Sequence, residues 1–278
     1  MNKINVIADL HSDMYDGTYE FITTKNIMDS KIEDYVYIGV NSDNKYIDLS
    51  KNDEKSKKYV EEIVKNTDEI CENLFILGDI SNLNCSSKLI IDNLLEYWKK
   101  IYIIPGNHDF YFQSRELNRY DNLVDYYRNN KRVNFVKDDI IDINGSKIGM
   151  NMMFYNVGDI KIRIEYSYSM NDSMHIEYED AYKYYKQGIE YYNSIFNKIN
   201  VFMSHVPLIP NKIQMEFGEG FKQSPFLNTS VVLDPNVYYI SGHTHYYGKL
   251  EYKGIKGFSA SVGYPGENKI IKAATLEF

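Results

Sequence analysis

The sequence of 278 residues predicts an α/β sandwich of two mixed β-sheets flanked by helices. Short apolar runs typical of buried strands alternate with segments whose apolar residues recur every three or four positions, as they do on one face of a helix. The C-terminal stretch from 247 to 278 instead alternates around the turn dipeptides Lys253-Gly254 and Pro265-Gly266. The first pattern indicates βαβ units, and the second indicates antiparallel strands that cover a second sheet.

Each element can be assigned in chain order from these patterns. Apolar runs predict strands at residues 4–8, 74–77, 101–104, 201–203 and 237–240. Amphipathic spacing predicts helices over residues 59–70, 90–97, 117–127 and 181–196. Glu179 and Asp180 place negative charge where the last of these helices begins, which favours its first turn.

No internal repeat and no long linker interrupts the chain, so we expect a single domain over residues 1–278. Two segments fit the alternation less well and are interpreted as insertions at the rim of a site. Residues 18–55 are polar and mixed, and residues 206–236 contain four prolines and two glycines typical of a long loop.

Composition excludes several classes of protein. A formal net charge of -8 disfavours a broad electrostatic grip on nucleic acid or on an anionic membrane. No run approaches the 18 or so apolar residues of a membrane span, and the N-terminus lacks a signal-peptide core. The spacing of Cys71 and Cys85 predicts free thiols. We therefore expect a cytoplasmic protein that does not bind membranes.

Five of the six histidines follow the predicted strands, next to aspartate or asparagine; His175 does not, and we expect it at the surface. Ligands of α/β folds bind outside the carboxyl ends of strands. We therefore expect the short polar segments that follow these strands, called polar corners below, to converge on one crevice. Asp9 and His11, like His243 and His245, are two residues apart and can face the same side of a strand. Carboxylate, amide and imidazole ligands without thiolates favour divalent Mn, Fe, Co or Zn.

Together these corners resemble the five ordered motifs of the calcineurin-like metallophosphoesterase family. The motifs span residues 9–245 in the order that the family has, and an ordered set is far more specific than any one of them. They are Asp9-Leu10-His11, Gly78-Asp79, Gly106-Asn107-His108-Asp109, Ser204-His205 and Gly242-His243-Thr244-His245.

The resemblance implies two divalent metal ions bridged by Asp79. It assigns one ion to Asp9, His11 and His245, and the other to Asn107, His205 and His243. It also implies hydrolysis of a phosphate ester by direct attack of a hydroxide that bridges the metals.

Two further residues of the third motif are predicted to be catalytic. His108 resembles the family's histidine that is not a ligand, which would protonate or hydrogen-bond the leaving oxygen. Asp109 would orient the His108 ring, or would serve only to shape the turn.

Departures from the family pattern narrow the expected substrate. Family members that act on phosphoproteins carry phosphate-clamping arginines, where this sequence has Ser81-Asn82-Leu83 and Pro105. A small phosphomonoester or phosphodiester, including a nucleotide, is therefore the expected substrate and partner. Residues 259–267 resemble the loop of small residues that often follows the last motif, and we interpret them as a turn.

Two alternatives remain open at this point. A nuclease of the same superfamily would need a basic track for the nucleic-acid backbone, which the net charge disfavours. A non-catalytic scaffold with the same fold would be expected to have lost metal ligands, whereas all seven predicted ligands are present.

Overall fold

The computed structural model describes residues 2–16, 49–111, 119–216, 225–267 and 270–278. Its strands form two mixed sheets, which confirms the predicted α/β sandwich. In the first sheet, four strands are parallel, and a fifth strand at one edge runs antiparallel to its neighbour. The spatial order is β11 (Ala274–Glu277), β1 (Lys3–Ile7), β2 (Asn73–Leu77), β3 (Lys100–Ile104) and β4 (Val133–Phe135).

The second sheet has four parallel central strands between two antiparallel edge strands. Its spatial order is β5 (Ile140–Ile143), β6 (Ser146–Asn151), β7 (Val201–Ser204), β8 (Tyr238–Ser241), β10 (Ile255–Ala260) and β9 (Tyr247–Tyr252). Because the parallel strands of a sheet all end at one edge, the polar corners that follow them are brought to the same end of the molecule.

Helices and short 3₁₀ turns connect the strands. The helices are α1 (Ser12–Asp16), α2 (Leu49–Asn66), α3 (Asn84–Leu94), α4 (Arg119–Tyr127), α5 (Ile160–Ser169), α6 (Tyr178–Ile195) and α7 (Lys212–Glu216). The 3₁₀ turns are His108–Phe110, Asn171–Met174 and Phe196–Lys198. None of the helices in the described part of the chain combines the length and the apolarity that crossing a bilayer requires.

Alternation along the strands builds a layered core. In β2, Phe75 and Leu77 point between the two sheets and pack with residues of the second sheet such as Met203. Leu74 and Ile76 point the other way, into the layer that the sheet shares with α2, α3 and α4. These four β2 side chains are fully buried, and burying a large apolar side chain stabilises a fold by roughly 1.5–3 kcal/mol. Both faces of β2 are thus buried, as its continuous apolar run predicts.

Each of the five predicted strands is present, and no strand end differs from its predicted position by more than one residue. The predicted helices at 59–70, 90–97 and 181–196 overlap α2, α3 and α6, and the described part of the segment at 117–127 forms α4. Both cysteines are free, as predicted. The sequence patterns therefore located these elements, but they did not predict β4, β5, β6 or α5.

Three expectations differ from the structure. Residues 49–55 of the supposed first insertion belong to α2, while residues 17–48 lie outside the described chain. The expected loop at 206–236 contains the short helix α7, and its residues 217–224 are likewise outside the described part. The last strand, β11, pairs with β1 in the first sheet and not in the second, because its register buries Ala274 beside Val6.

The two sheets join at the end that carries the polar corners. A parallel bridge links Ala8, just after β1, to Ser261, just after β10. The amide of Ala8 donates to the carbonyl of Ala260 at 3.0 Å, and the amide of Gly263 donates to the carbonyl of Asp9 at 3.1 Å. This junction places the loop after β10 next to Asp9.

Candidate metal centre

Every predicted metal ligand lies just beyond the carboxyl end of a parallel strand. The ligands follow β1 (Asp9, His11), β2 (Asp79), β3 (Asn107), β7 (His205) and β8 (His243, His245). Three groups of acidic and histidine side chains have donor atoms that all lie within 4.8 Å of one another. These groups are Asp9, His11 and His245; Asp79, His205 and His243; and His11, Asp79 and His108.

The first group forms one half of the centre. The Nε2 atoms of His11 and His245 face each other at 3.2 Å, and the Nε2 atom of His245 is 3.9 Å from Oδ1 of Asp9. Burial lowers the pKa of His11 well below its usual value, so this ring is held neutral. Two ring nitrogens that converge with a carboxylate are a suitable donor set for a divalent cation.

The second group forms the other half and shares Asp79 with the group of His11, Asp79 and His108. The Nε2 atom of His205 is 3.4 Å from Oδ2 of Asp79 and 2.9 Å from Oδ1 of Asn107. Its other nitrogen, Nδ1, lies 2.7 Å from the carbonyl of Leu77 and donates to it. This hydrogen bond fixes the ring with Nε2 directed at the centre.

His243 belongs to the same group, but the ring nitrogen that it offers to an ion is Nδ1, whereas His205 offers Nε2. Its backbone amide donates to both carboxylate oxygens of Asp9, at 2.8 and 3.0 Å. Its ring nitrogen Nε2 lies 3.3 Å from the carbonyl of Pro225, so Nδ1 is the nitrogen left for an ion. Burial, together with the neighbouring imidazole of His205, lowers the pKa of His243 to about 3.

The electrostatics of the centre favour added positive charge. Burial opposes ionisation of Asp79, but the imidazoles of His205 and His108 outweigh it and hold its pKa well below the usual value. Burial likewise disfavours a charged His205, but Asp79 outweighs that effect and raises the pKa of His205 to about 9. A buried carboxylate that is compensated only by a proton on a neighbouring imidazole can exchange that proton for a metal ion.

Five of the seven predicted ligands have positive φ angles, which residues other than glycine rarely adopt. Each such residue costs roughly 1–3 kcal/mol unless local contacts stabilise it, and such residues cluster at functional sites. The angles are 55° at Asp9, 40° at His11, 54° at Asp79, 68° at His243 and 49° at His245. The backbone is therefore bent at each corner in the way that turns the side chain into the crevice.

A glycine allows the corners to approach one another. A Cβ atom on Gly106 would lie 2.1 Å from Oδ1 of Asp79 and 2.6 Å from Cε1 of His205. Neither atom could withdraw without moving a predicted ligand. The absence of a side chain at position 106 is therefore a geometric requirement of the site.

His108 lies beside the centre, as expected for a group that acts on the leaving oxygen. Its backbone amide donates to Oδ1 of Asp79 at 2.8 Å, and its ring centroid is 4.7 Å from that of His11. The ring nitrogen Nδ1 is 2.8 Å from Oδ1 of Asn82, which takes the orienting position that the sequence interpretation gave to Asp109.

Asp109 instead has the turn-shaping role that was left open. Its carboxylate accepts from the backbone amides of Asp79 and Gly106, both at 2.8 Å, and from that of Ile80 at 3.3 Å. Burial and the nearby Asp79 raise the pKa of Asp109 to about 6. Its contacts tie the second and third motifs together and do not reach the His108 ring, because the backbone amides are its nearer donors.

Several residues that contact the predicted ligands carry no motif signal. Glu267 accepts at 2.6 Å from Nδ1 of His245, and Asp172 accepts at 2.8 Å from the side-chain amide of Asn107. The ring of Tyr264 lies 4.5 Å from the rings of both His11 and His245. Residues 259 and 260 thus end β10, whereas residues 264–267 form the expected turn, which also reaches the site.

His175 differs from its expected surface position. It is half-buried, and its ring stacks on that of Tyr111 with 4.3 Å between centroids. Tyr111 in turn lies 4.2 Å from the His108 ring. The sixth histidine therefore belongs to the surroundings of the site, although it is in none of the three ligand groups.

The donor set fits a pair of divalent ions. Two such ions set against the carboxylates of Asp9 and Asp79 leave two positive charges, which would attract a phosphate ester despite the acidic surface. The nitrogen and oxygen donors suit Mn, Fe, Co or Zn. Which residue binds which ion stays a prediction.

Comparisons with known proteins identify the family of the chain. The chain is 23% identical over 222 residues to a protein of Acanthamoeba polyphaga mimivirus named only as uncharacterized, covering 70% of this chain and 79% of that one. The structure of this chain resembles that of a phosphopantetheinyl hydrolase from Mycobacterium tuberculosis, with a TM-score of 0.65 and 15% identity. The match covers 99% of this chain and 95% of the hydrolase. The calcineurin-like phosphoesterase family model matches residues 2–247. The chain therefore belongs to the calcineurin-like phosphoesterase family, whose members are metal-dependent phosphoesterases.

Proposed function

We propose that this protein uses two divalent metal ions to hydrolyse a small phosphomonoester or phosphodiester. The observation that carries the proposal is the convergence of Asp9, Asp79 and their histidine partners at one end of the two sheets. When bound, the ions would supply acidified water and would neutralise the charge of the phosphoryl group.

Asp79 and His108 have different roles in the proposed reaction. Asp79 contributes to two of the ligand groups, so it is suited to hold both ions. His108 lies next to Asp79 with Nδ1 occupied by Asn82, so its Nε2 atom is the nitrogen available to the leaving oxygen. A proton or hydrogen bond delivered there would stabilise the negative charge that develops when the ester bond breaks.

The surroundings of the site support a small substrate. Among the residues that the structure describes, Arg119 comes near His108, but it is buried and donates to the carbonyls of Ser81 and His108. An arginine bound to backbone carbonyls does not clamp a phosphate. The rim contains the aromatic side chains of Tyr264 and Phe226, and no broad basic surface is expected at the net charge of -8.

The test is metal-dependent hydrolysis by the full chain. The purified protein would be stripped with a chelator, reloaded separately with Mn, Fe, Co or Zn, and assayed with p-nitrophenyl phosphate and bis-p-nitrophenyl phosphate. We expect hydrolysis that disappears with the chelator and returns with at least one metal. Full metal loading without hydrolysis of any phosphate ester would contradict the proposal.

The substrate class is narrowed by a panel of natural esters. Nucleoside monophosphates, cyclic nucleotides, a phosphopantetheinyl diester and a single-stranded oligonucleotide would be compared at low salt. We expect one of the small esters to be preferred. A preference for the oligonucleotide would instead favour the nuclease alternative.

A variant of His108 tests its proposed role at the leaving group. His108→Ala should lower turnover by about 100-fold or more, the usual contribution of general acid catalysis. Because His108 is not a predicted ligand, the variant should keep its bound metal. Full activity in this variant would show that the assigned role is wrong.

A further inference from the structure

Asp172 is a buried carboxylate that none of the family motifs contains. It lies in the 3₁₀ turn Asn171–Met174, between α5 and α6, and is only 1% exposed. We propose that Asp172 is a positioning residue that holds the Asn107 side chain with its amide oxygen directed into the metal centre. The proposal rests on the dimetal function proposed above and assigns a role that the ligands alone do not explain.

The orientation of the Asn107 amide decides whether it can be a ligand. The two ends of an asparagine amide have almost the same shape, but only the oxygen can bind a metal ion. The Nδ2 atom of Asn107 donates to Oδ1 of Asp172 at 2.8 Å and to the hydroxyl of Tyr111 at 3.2 Å. Its Oδ1 atom lies 2.9 Å from Nε2 of His205, inside the centre.

Asp172 makes this orientation selective because its two oxygens accept hydrogen bonds from the hydroxyls of Tyr111 and Tyr155, one oxygen from each. If the Asn107 amide were turned over, its oxygen would face the Asp172 carboxylate, and two buried acceptors would be left in contact. Leaving buried polar groups unpaired is unfavourable, so the turned amide would be disfavoured. Asp172 thus favours the one orientation that a ligand requires.

The carboxylate is itself held in place by two tyrosines. The hydroxyls of Tyr111 and Tyr155 both donate to it, one to each oxygen. Burial and the neighbouring Asp172 raise the pKa of both tyrosines, which keeps both hydroxyls protonated as donors. Asp172 therefore accepts from three donors, Asn107 included, and its rotation is fixed.

The network spans the surroundings of the second ion site. The ring of Tyr111 packs against that of His108 at 4.2 Å, and the ring of Tyr155 lies 6.3 Å from that of His243. The α5–α6 connection is thereby tied to two motif histidines as well as to Asn107. The side chain at position 172 should affect the ion bound by Asn107, His205 and His243 more than the ion bound by Asp9, His11 and His245.

The test measures metal binding without substrate. Metal-free wild type and Asp172→Asn would be titrated with cobalt(II), following both the heat of binding and the visible absorption of the bound ion. Replacement by an amide keeps the shape, but its NH₂ end can also face Asn107, so the side chain at position 172 no longer selects one orientation of the Asn107 amide. We expect one of two binding events to weaken by about 10–100-fold, the usual effect of losing a residue that orients a ligand, with a changed absorption band for that ion.

The matched control is Asp159→Asn in the same part of the chain. Asp159 caps α5 by accepting from the amides of Lys161 and Ile162, and it does not contact the centre. Because asparagine caps a helix about as well as aspartate, this variant should keep nearly the wild-type thermal stability and both cobalt-binding events. Thermal unfolding of each metal-free protein then separates lost stability from lost affinity.

A second variant keeps the proposal testable if Asp172→Asn does not fold. Tyr155→Phe removes one donor to Asp172 and leaves Asn107 untouched, so it should weaken the same binding event by a smaller factor. Two unchanged binding events in a folded Asp172→Asn or, failing that, in Tyr155→Phe would overturn the positioning role alone. A wild-type protein that binds no cobalt would overturn the dimetal function together with this proposal.

Discussion

Oδ1 of Asn82 lies 2.8 Å from Nδ1 of His108, and the Asn82 amide is held in turn by Asp13. The backbone and side-chain nitrogens of Asn82 donate to the two carboxylate oxygens of Asp13 at 3.0 and 3.1 Å. Because Asp13 takes the NH₂ end of the amide, the oxygen end must face the imidazole and accept from Nδ1–H. A neutral amide thus orients His108, and the carboxylate lies one residue further away.

The hydrogen bonds that link Asp13, Asn82 and His108 predict that Asn82→Ala slows departure of the leaving group more than it weakens metal binding. Without its partner the His108 ring is free to rotate, so part of the 10²- to 10⁴-fold contribution typical of general acid catalysis should be lost. Alkyl phosphates, which need a proton on the departing oxygen, should slow by about tenfold or more relative to p-nitrophenyl phosphate. Measurement of kcat for both esters and of metal content tests this.

Asn82→Asp provides the conservative comparison. It keeps a hydrogen-bond acceptor next to Nδ1 of His108, so it should retain more of the activity on alkyl phosphates than Asn82→Ala. Its melting temperature should fall, because a second carboxyl group then faces that of Asp13. Equal losses on alkyl and aryl esters in Asn82→Ala would indicate that Asn82 supports the fold and not the leaving-group step.

Glu267 should strengthen metal binding at the other half of the centre. One of its carboxylate oxygens accepts from Nδ1 of His245 at 2.6 Å and from the backbone amide of Tyr264 at 2.7 Å. A carboxylate behind a ligating histidine fixes the ring and raises its basicity, so Glu267→Gln should weaken binding of one ion by about tenfold. Titration with cobalt(II) measures the effect.

The control for this variant is Glu251→Gln, on the exposed face of β9. It removes the same charge at a distance from the residues of the centre and should leave both binding events unchanged. Equal weakening in the two variants would show that the loss reflects net charge alone.

Much of the centre follows from the sequence because its ligands lie at fixed offsets from recognisable strands. The run 74–77 predicts β2, and the polar residues that follow any parallel strand reach the same edge of the sheet. The convergence of Asp9 with His245, which are 236 positions apart, could therefore be expected before any distance was known.

The residues that orient the ligands could not be found in this way. Asp172 meets Asn107 across 65 positions, and Glu267 meets His245 across 22. Each contact depends on the course of a connecting segment that has no periodic pattern. Similarly, the choice between Asn82 and Asp109 as the partner of His108 depends on which backbone amides are nearer to the Asp109 carboxylate.

Metal binding should become tighter as the pH rises toward 9. In the metal-free protein the pKa of His205 is raised to about 9, so its ring is protonated at neutral pH. An ion that binds Nε2 must displace this proton, and the apparent affinity should rise about tenfold per pH unit below the pKa and level off above it. Calorimetry in buffers of different ionisation enthalpy should detect about one proton released at pH 7. Affinity that is constant between pH 6 and 8 would contradict this assignment.

Gly106→Ala should disrupt the centre. The added Cβ atom would lie 2.1 Å from Oδ1 of Asp79, and relieving such a contact costs typically 1–3 kcal/mol of unfolding free energy. We expect loss of metal binding as well as a lower melting temperature.

A suitable control is Gly158→Ala. There the added atom would meet the side chains of Tyr182 and Asn156 at 3.0 and 3.1 Å, and both can shift without moving a predicted ligand. It should bind metal as the wild type does. Normal metal binding in Gly106→Ala would show that the close approach at this corner is dispensable.

The location of bound metal tests the central claim most directly. A crystal of the full chain grown with manganese(II) would be measured for anomalous scattering at the manganese edge. We expect two peaks about 3.5–4 Å apart, as in other two-metal sites, with Asp79 contacting both. A crystal in which Asp9, Asp79 and His205 enclose no anomalous peak would contradict the account.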